Sequence, residues 1–288
     1  MSSASLFRFA QVEVPWALGP PDGRYLLRDP EAGADAAPTA VAVIATLGAP
    51  ERRRLADRRR SRDAAAEPPP VAVATGRATI IDVAHPFAGD AEAQRWLQSA
   101  GEEDLRDGLA ALNRMLHALR IAAADPDVHP VGRRQALVAR IGFGAGEQVA
   151  DGLWTSAREL TVVEGRRRRA RALEPQARLA AILGARETPP VCAELALRAR
   201  ADLDHERFRE AALQLLITLD AAVAELAADP LAGALADRLG ELRAQREPVA
   251  EAAQAALGGA LSDAQREAVA VALGRVEAAL RARAAAGA

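Results

Sequence analysis

The chain has 288 residues, of which 50% are hydrophobic, 3% aromatic and 26% charged, and its formal net charge is −2 at pH 7. A chain of this length and apolar content buries one large core or two ordinary ones, which excludes disorder throughout. All 37 basic residues are arginine, which excludes mechanisms that need a lysine, such as a Walker-type phosphate loop or a Schiff base.

Cysteine usage and hydropathy bear on the compartment. The single cysteine, Cys192, lies in an apolar stretch, so we expect a buried thiol in a reducing environment. The N-terminal residues lack a signal-peptide pattern, and no apolar run reaches the length of a membrane span. We therefore expect a cytoplasmic protein without membrane contact, and the exclusive use of arginine, a habit of GC-rich genomes, indicates a bacterial origin.

The first segment, 1–89, has the pattern of extended strands. LFRFAQVEV alternates apolar and polar residues, RYLLR follows the turn signal PPDG, and AVAVIATL and VAVATGRATIIDV are rich in β-branched residues. These runs predict a small antiparallel sheet of about four strands. Arginines and prolines at 51–70 predict a mobile loop between the third and fourth strands.

The second segment, 90–171, begins with a change of period. Leucines at steps of three and four, from Leu105 to Leu119, predict one amphipathic helix that ends before Asp125-Pro126. The following stretch, ALVARIGFGAGEQVADGLWTSARELTVVEG, returns to short apolar runs between glycines. It predicts a two- or three-stranded insert or an extension of the first sheet.

The third segment, 172–288, is predicted to be a bundle of Ala- and Leu-rich helices. Its longest helix carries an apolar stripe from Phe208 to Leu226, and Ser262 with Gln265 forms a capping-box pattern before the last helix. The predicted fold class is therefore α+β: a small N-terminal antiparallel β module, followed by a predominantly α-helical region with a short β insert.

One stretch resembles a known repeat family. RADLDHERFREAALQLLITLDAA, with Phe208, Ala211 and Leu219, looks like the inner turn of a tetratricopeptide-type helical hairpin. No 34-residue period repeats elsewhere in the chain, so the resemblance implies a hairpin and not a peptide-binding groove.

The glycine-rich stretch RIGFGAGE, residues 140–147, is the first candidate site. Successive glycines after a strand can turn backbone N–H groups toward an anion. The candidate anion-binding residues are Arg140, Gly142, Gly144 and Gly146, with Arg166, Arg167, Arg168 and Arg169 as counter-charge. The stretch lacks G-x-G-x-x-G and a following helix, so a glycine-rich strand connection or bulge is the favoured interpretation.

Two arginine runs, at 52–62 and 166–171, are the second candidate. They could neutralise phosphates and bind nucleic acid. The balanced net charge and the lack of interleaved aromatics favour solvated loops instead, or an acidic protein partner.

Two further groups could carry chemistry. Asp125, Asp127 and His129 alternate in an Asp-Pro-rich stretch and form a weak metal candidate, although a helix-ending loop explains them more simply. Asp82 and His85 could act as an acid–base pair, but on a straight strand their side chains would lie on opposite faces.

The sequence favours a binding function over catalysis. No motif supplies a nucleophile with its base, so catalysis is not expected and no cofactor is predicted. We expect a non-catalytic binding or assembly module with a protein partner, including a homodimer through the C-terminal helices. The alternatives are an enzyme or sensor for a phosphorylated small molecule or nucleotide, using 140–147 and Arg166–Arg169, and a nucleic-acid-binding protein.

Overall fold

All the described strands lie in the N-terminal part of the chain, where two helices separate the fourth strand from the fifth, and the C-terminal part is helical. The structure, a computed structural model, describes residues 5–29, 32, 35–48, 74–161, 176 and 178–286. Contacts divide the chain into two compact units, Met1–Val163 and Glu164–Ala288, and each has a hydrophobic core of its own. The predicted α+β class is confirmed, since a six-stranded antiparallel sheet and a set of helices both form.

The first unit is built on that sheet. Its strands are β1 (Leu6–Val14), β2 (Gly23–Leu27), β3 (Ala40–Leu47), β4 (Thr75–Asp82), β5 (Val138–Ala145) and β6 (Ser156–Glu159). Their order across the sheet is β2-β3-β4-β1-β5-β6, with all neighbours antiparallel. The first strand therefore lies inside the sheet, and the predicted insert extends the sheet at its far edge.

Helices α1 (Asp90–Ser99) and α2 (Glu102–Ala122) cover one face of the sheet. Four leucines of the predicted stripe are buried, from Leu105 to Leu116, whereas Leu119 is half-buried. Gly108 lets α2 approach β1 closely, because a Cβ there would lie 2.4 Å from Ala10 Cβ. Asp104 holds the start of α2 by accepting a hydrogen bond from the Gly101 N–H at 2.7 Å.

The opposite face of the sheet carries a smaller cluster. Phe9, Val41, Ile81 and Val149 are buried there. Val149 belongs to a 3₁₀ helix, Gly146–Asp151, that follows β5 directly. The stretch 146–155 thus lies over this face, which we call the outer face.

The second unit is a helical bundle. Its helices are α3 (Val191–Asp204), α4 (Phe208–Ala228), α5 (Ala236–Ala244), α6 (Arg246–Gly258) and α7 (Asp263–Ala286), with a further helical stretch at 178–183. Helices α3 and α4 form the expected hairpin, and Ala212, Leu215 and Leu219 are fully buried in the core. The capping box is confirmed: Ser262 N–H donates to Gln265 Oε1 at 2.9 Å, and Gln265 N–H donates to Ser262 Oγ at 3.3 Å.

The three segments predicted from the sequence do not coincide with these two units. The strands and helices described between 90 and 161 all belong to the first unit, because α1 and α2 pack on the sheet and β5 pairs with β1. The predicted mobile loop at 51–70 lies outside the described residues.

Candidate functional site

The glycine-rich stretch is a strand and not a loop. Gly142 pairs with Phe9 of β1 on one side and with Ala157 of β6 on the other, and Gly144 pairs with Phe7. Because the ladders on both sides use the backbone groups of β5 at Gly142, this stretch does not present a run of N–H groups to an anion. The geometry therefore agrees with the interpretation of this stretch as a glycine-rich strand connection.

Close packing explains two of the glycines. A Cβ on Gly142 would lie 2.4 Å from the carbonyl oxygen of Ser156, and a Cβ on Gly144 would lie 2.6 Å from Val149 Cγ1. Gly146 has a φ of 66° and turns the chain into the 3₁₀ helix. The absence of a side chain thus lets β6 lie close to β5 at Gly142 and lets Val149 and Trp154 pack on Gly144, while Gly146 allows the turn between them.

Arg140 belongs to a polar cluster on the outer face. Register places Gln11 of β1 between Thr79 of β4 and Arg140 of β5. Arg140 Nη1 donates to Gln11 Oε1 at 2.6 Å, and Gln11 Nε2 donates to Thr79 Oγ1 at 2.8 Å. The guanidinium also lies 5.3 Å from the ring centre of Trp154, a cation–π contact.

Charged groups complete the cluster. Glu13 Oε1 accepts a hydrogen bond from Arg77 Nε at 3.0 Å and lies 3.6 Å from Arg140 Nη1. Glu159 lies 3.9 Å from the same guanidinium. Two arginines thus face two carboxylates, so the cluster carries no excess positive charge for a phosphate.

The depression beside Gly146 has the wrong charge for an anion. It is lined by Ser5, Phe7 and residues 145–148, and its charged side chain is Glu147, which pairs with Arg24. A carboxylate at this position repels a phosphate. Arg166, Arg167, Arg168 and Arg169 lie outside the described residues, as does the first arginine run.

The weak metal candidate is a turn. Asp125 Oδ1 accepts a hydrogen bond from the Asp127 N–H at 2.9 Å, which closes an Asx turn after α2. Within the part of the chain that the structure describes, no three His, Cys, Asp or Glu side chains come together as a metal site, and this includes Asp125, Asp127 and His129. The helix-ending interpretation therefore accounts for this loop.

Asp82 and His85 do meet, because the chain bends where β4 ends. His85 Nδ1 lies 3.4 Å from Asp82 Oδ2, and Arg8 Nε donates to the same oxygen at 2.8 Å. Burial opposes ionisation of Asp82, but the hydrogen bonds and charge of Arg8 outweigh it, with help from His85, and the pKa of this carboxyl is lowered. A carboxylate held ionised by an arginine is a structural ion pair and a poor general acid.

The second unit carries an exposed apolar face on α4. Leu213 and Ile217 are one turn apart, with 37% and 62% of their surfaces exposed. Arg209, Asp220 and Ala224 extend the same stripe along the helix, and all three are exposed. We call Arg209, Leu213, Ile217, Asp220 and Ala224 the α4 face.

Helix α6 lies beside this face. Arg209 Nε donates to the carbonyl oxygen of Ala256 at 2.7 Å, and Arg246 Nε donates to Asp220 Oδ1 at 2.8 Å. Leu257, next to Ala256, is 62% exposed. The edge of α6 therefore continues the apolar surface near the start of α4.

The composition of α4 also meets the length and hydropathy criteria for a membrane span. A core helix of a helical bundle meets the same criteria, and the opposite side of α4 packs in the core around Leu215 and Leu219.

Neither the polar cluster on the outer face nor the α4 face was predicted from the sequence. Gln11, Glu13 and Arg77 lie on strands that were predicted, but the pairing register that joins them is not visible in the sequence. Leu213 and Ile217 could have been noticed, since they fall outside the predicted apolar stripe of their own helix.

Comparisons with known proteins found no match: no protein-family model, no curated protein and no solved structure resembles the chain.

Proposed function

We propose that the protein is a non-catalytic assembly module whose helical unit pairs with a second copy of the chain through the α4 face. The observation that supports this is the pair Leu213 and Ile217, two large aliphatic side chains exposed one turn apart on an otherwise well-packed helix. Exposed apolar surface of this kind is typical of a protein contact.

The α4 face is complementary to itself. A two-fold axis near Leu215, between the two aliphatic residues, would place Leu213 of one copy against Ile217 of the other in an antiparallel pair. The same axis would bring Arg209 next to Asp220 of the second copy, because the two residues lie nearly symmetrically about it. Within one chain Arg209 Nε donates to the carbonyl oxygen of Ala256 and Asp220 pairs with Arg246, but both side chains stay exposed, so the contact between copies would add Arg209 to an existing surface ion pair. Opposite charges at the two ends of an apolar contact fix register and orientation.

Small residues favour close approach of the two helices. Ala224 belongs to the α4 face and is exposed, and Ala221 lies beside that face. Short side chains allow two helix axes to come near each other, which increases the contact area of the aliphatic pair. Leu257 of the neighbouring helix enlarges the surface that such a contact covers.

The described residues support the two alternative functions, binding of a phosphorylated ligand and of nucleic acid, less well. Arg140 is engaged by Gln11, Glu13 and Trp154, so it is not a free counter-charge for a phosphorylated ligand. The nucleic-acid alternative depends on residues outside the described ranges and stays a prediction. The cytoplasmic location and the bacterial origin stay predictions as well.

The test is the oligomeric state of the full chain, measured by sedimentation velocity over a concentration series. We expect a dimer that Ile217→Glu dissociates. Because the contact is symmetric, the substitution removes Ile217 from both copies. The free energy of association should weaken by about 3 kcal/mol in total, so Kd should rise about a hundredfold. The matched control is Leu197→Glu on α3, which changes a leucine that is 67% exposed and should leave the dimer intact.

A charge exchange tests the orientation. Arg209→Glu and Asp220→Arg should each weaken self-association, and a mixture of the two variants should associate better than either alone, because only the mixed pair restores both opposite charges. A chain that is monomeric at all concentrations, or a dimer equally sensitive to Leu197→Glu, would overturn the proposal.

A further inference from the structure

A cleft in the first unit lies outside every site considered so far. It opens between the sheet and α2 and has a volume of about 200 Å³. Part of its lining is formed by small side chains, Ala10, Ala40 and Ala111, and this explains why space remains between a helix and a sheet that otherwise pack closely. Ile80 and the ring of Trp96 add apolar surface. We call this space the β1–α2 cleft.

Some charged groups of the cleft are already engaged. Arg8 pairs with Asp82 through Nε and Nη2. Asp104 accepts hydrogen bonds from Trp96 Nε1 at 3.1 Å and from the Gly101 N–H at 2.7 Å. These contacts fix the walls of the cleft, because each carboxylate is held by partners on another element.

Two charged groups of the cleft are not engaged. Asp107 and Arg114 both line it, both are exposed, and neither makes a hydrogen bond or an ion pair with any residue in the described ranges. They lie on the same face of α2, two turns apart. The cleft therefore offers one free carboxylate and one free guanidinium at its mouth.

We propose that the β1–α2 cleft binds a zwitterionic ligand of the size of one amino acid. The ammonium group of the ligand pairs with Asp107, and its carboxylate pairs with Arg114, as charge-assisted hydrogen bonds. A purely anionic ligand meets the repulsion of the aspartates, and a purely cationic ligand leaves the guanidinium unused. A ligand with both charges matches both free groups.

Size and spacing favour a single amino acid over a dipeptide. Seven residues of helix separate Asp107 from Arg114 by about 10 Å along the axis. An extended amino acid spans about 3.5 Å, and a hydrogen bond of about 3 Å at each end extends its reach to about 10 Å, whereas a dipeptide with the same two hydrogen bonds reaches about 13 Å. The cleft, at about 200 Å³, is also smaller than the roughly 300–1,000 Å³ of pockets for drug-sized ligands. Ile80 and Trp96 suit an aliphatic side chain.

The test is isothermal titration of the full chain with L-leucine and L-alanine at millimolar concentration. We expect saturable binding of one amino acid per chain. N-acetylated and C-amidated forms of the same amino acids should bind at least about tenfold more weakly, because each lacks one charge. The dipeptide L-alanyl-L-leucine should also bind more weakly, since its charged ends lie too far apart for the two groups.

Substitutions of the two charged residues test whether the ligand binds in the β1–α2 cleft. Arg114→Gln and Asp107→Asn change exposed side chains without described partners, so both should fold, and each should weaken binding at least about tenfold. Arg106→Gln is the matched control, since Arg106 is exposed on the same helix and does not line the cleft. No binding of either amino acid, equal binding of the capped forms, or binding unchanged in Arg114→Gln and Asp107→Asn would overturn the proposal. The oligomer variants should not affect this binding, so the two proposals can fail separately.

Discussion

At the scale of single residues, Gly142 and Gly146 are glycines for different physical reasons. Gly142 lies where a Cβ would approach backbone atoms of the neighbouring strand, with the Ser156 oxygen at 2.4 Å and Ala157 Cα at 2.8 Å. Gly146 has open space around it but a φ of 66°. The first position is restricted by packing and the second by backbone conformation.

This difference predicts a ranking of two alanine variants. Gly142→Ala should lower the free energy of unfolding by about 3 kcal/mol, because the new methyl group displaces backbone that the ladders hold in place. Gly146→Ala should cost about 1 kcal/mol, the usual cost of a left-handed conformation for alanine. Urea unfolding followed by tryptophan fluorescence measures both. Equal losses would show that the close approach at Gly142 relaxes freely.

The polar cluster on the outer face is another residue-scale feature that depends on long-range pairing. Arg140 and Gln11 are 129 positions apart in the chain, yet their side chains meet at 2.6 Å. Buried Gln11 would be costly without Thr79 and Arg140 as partners. The cluster is thus a consequence of strand register, and it commits Arg140 to structure.

At the scale of elements, the start of α3 is held by a side chain from α4. Glu225 accepts hydrogen bonds from the N–H groups of Val191 at 2.9 Å and of Cys192 at 2.8 Å. Pro190 precedes the helix and has no side-chain oxygen to cap it. Glu225 therefore acts as a cap supplied by a neighbouring helix, and its charge suits the helix dipole.

Cys192 is the natural reporter of this cap. The thiol is fully buried, and burial, followed by the nearby Glu225 carboxylate, raises its pKa to about 12. Since only the thiolate reacts, the native protein should be labelled by a thiol reagent at pH 8 far more slowly than the unfolded chain.

Glu225→Ala should change that labelling. Loss of the two hydrogen bonds should destabilise the helical unit by about 1 kcal/mol and let the first turn of α3 open, so Cys192 should react faster in the native state. Glu194→Ala is the control, because Glu194 is exposed in the same turn and its partner is Arg198 of the same helix. Equal labelling rates in both variants and the original protein would contradict a capping role.

At the scale of the whole molecule, the two units have separate cores. The core of the first includes Phe143, Ile141 and Leu112, and that of the second includes Leu215, Leu219 and Leu273. A unit with a core of its own should fold alone. Stability should then be a property of each unit and not of the whole chain.

Fragments 1–163 and 164–288 test this expectation. Each should give a cooperative thermal transition by circular dichroism, and the sum of the two spectra should reproduce that of the full chain. Fragment 206–288 is the control: it lacks α3, which leaves a face of α4 uncovered, so its transition should occur at a lower temperature. If either of the two larger fragments stays unfolded, the cores are not independent.

The types of element were largely predictable from the sequence. Alternating apolar and polar residues predicted β1, leucines at steps of three and four predicted α2, and the Ser262–Gln265 pattern predicted the start of α7. Each of these signals lies within a few residues of chain. The strand β6 and the burial of Cys192 also agree with expectation. These features depend on local periodicity and capping, which the sequence carries directly.

Only the tertiary structure decided the sheet order and the sites. That β1 lies between β4 and β5, that Gln11 meets Thr79 and Arg140, and that Asp107 and Arg114 face the β1–α2 cleft all depend on contacts between distant parts of the chain. Local pattern does not specify such contacts, because a strand presents the same alternation to any neighbour. Pairing register and helix packing determine which strands become neighbours. As a result the glycine-rich stretch, which the sequence left open as a loop, forms the fifth strand of the sheet.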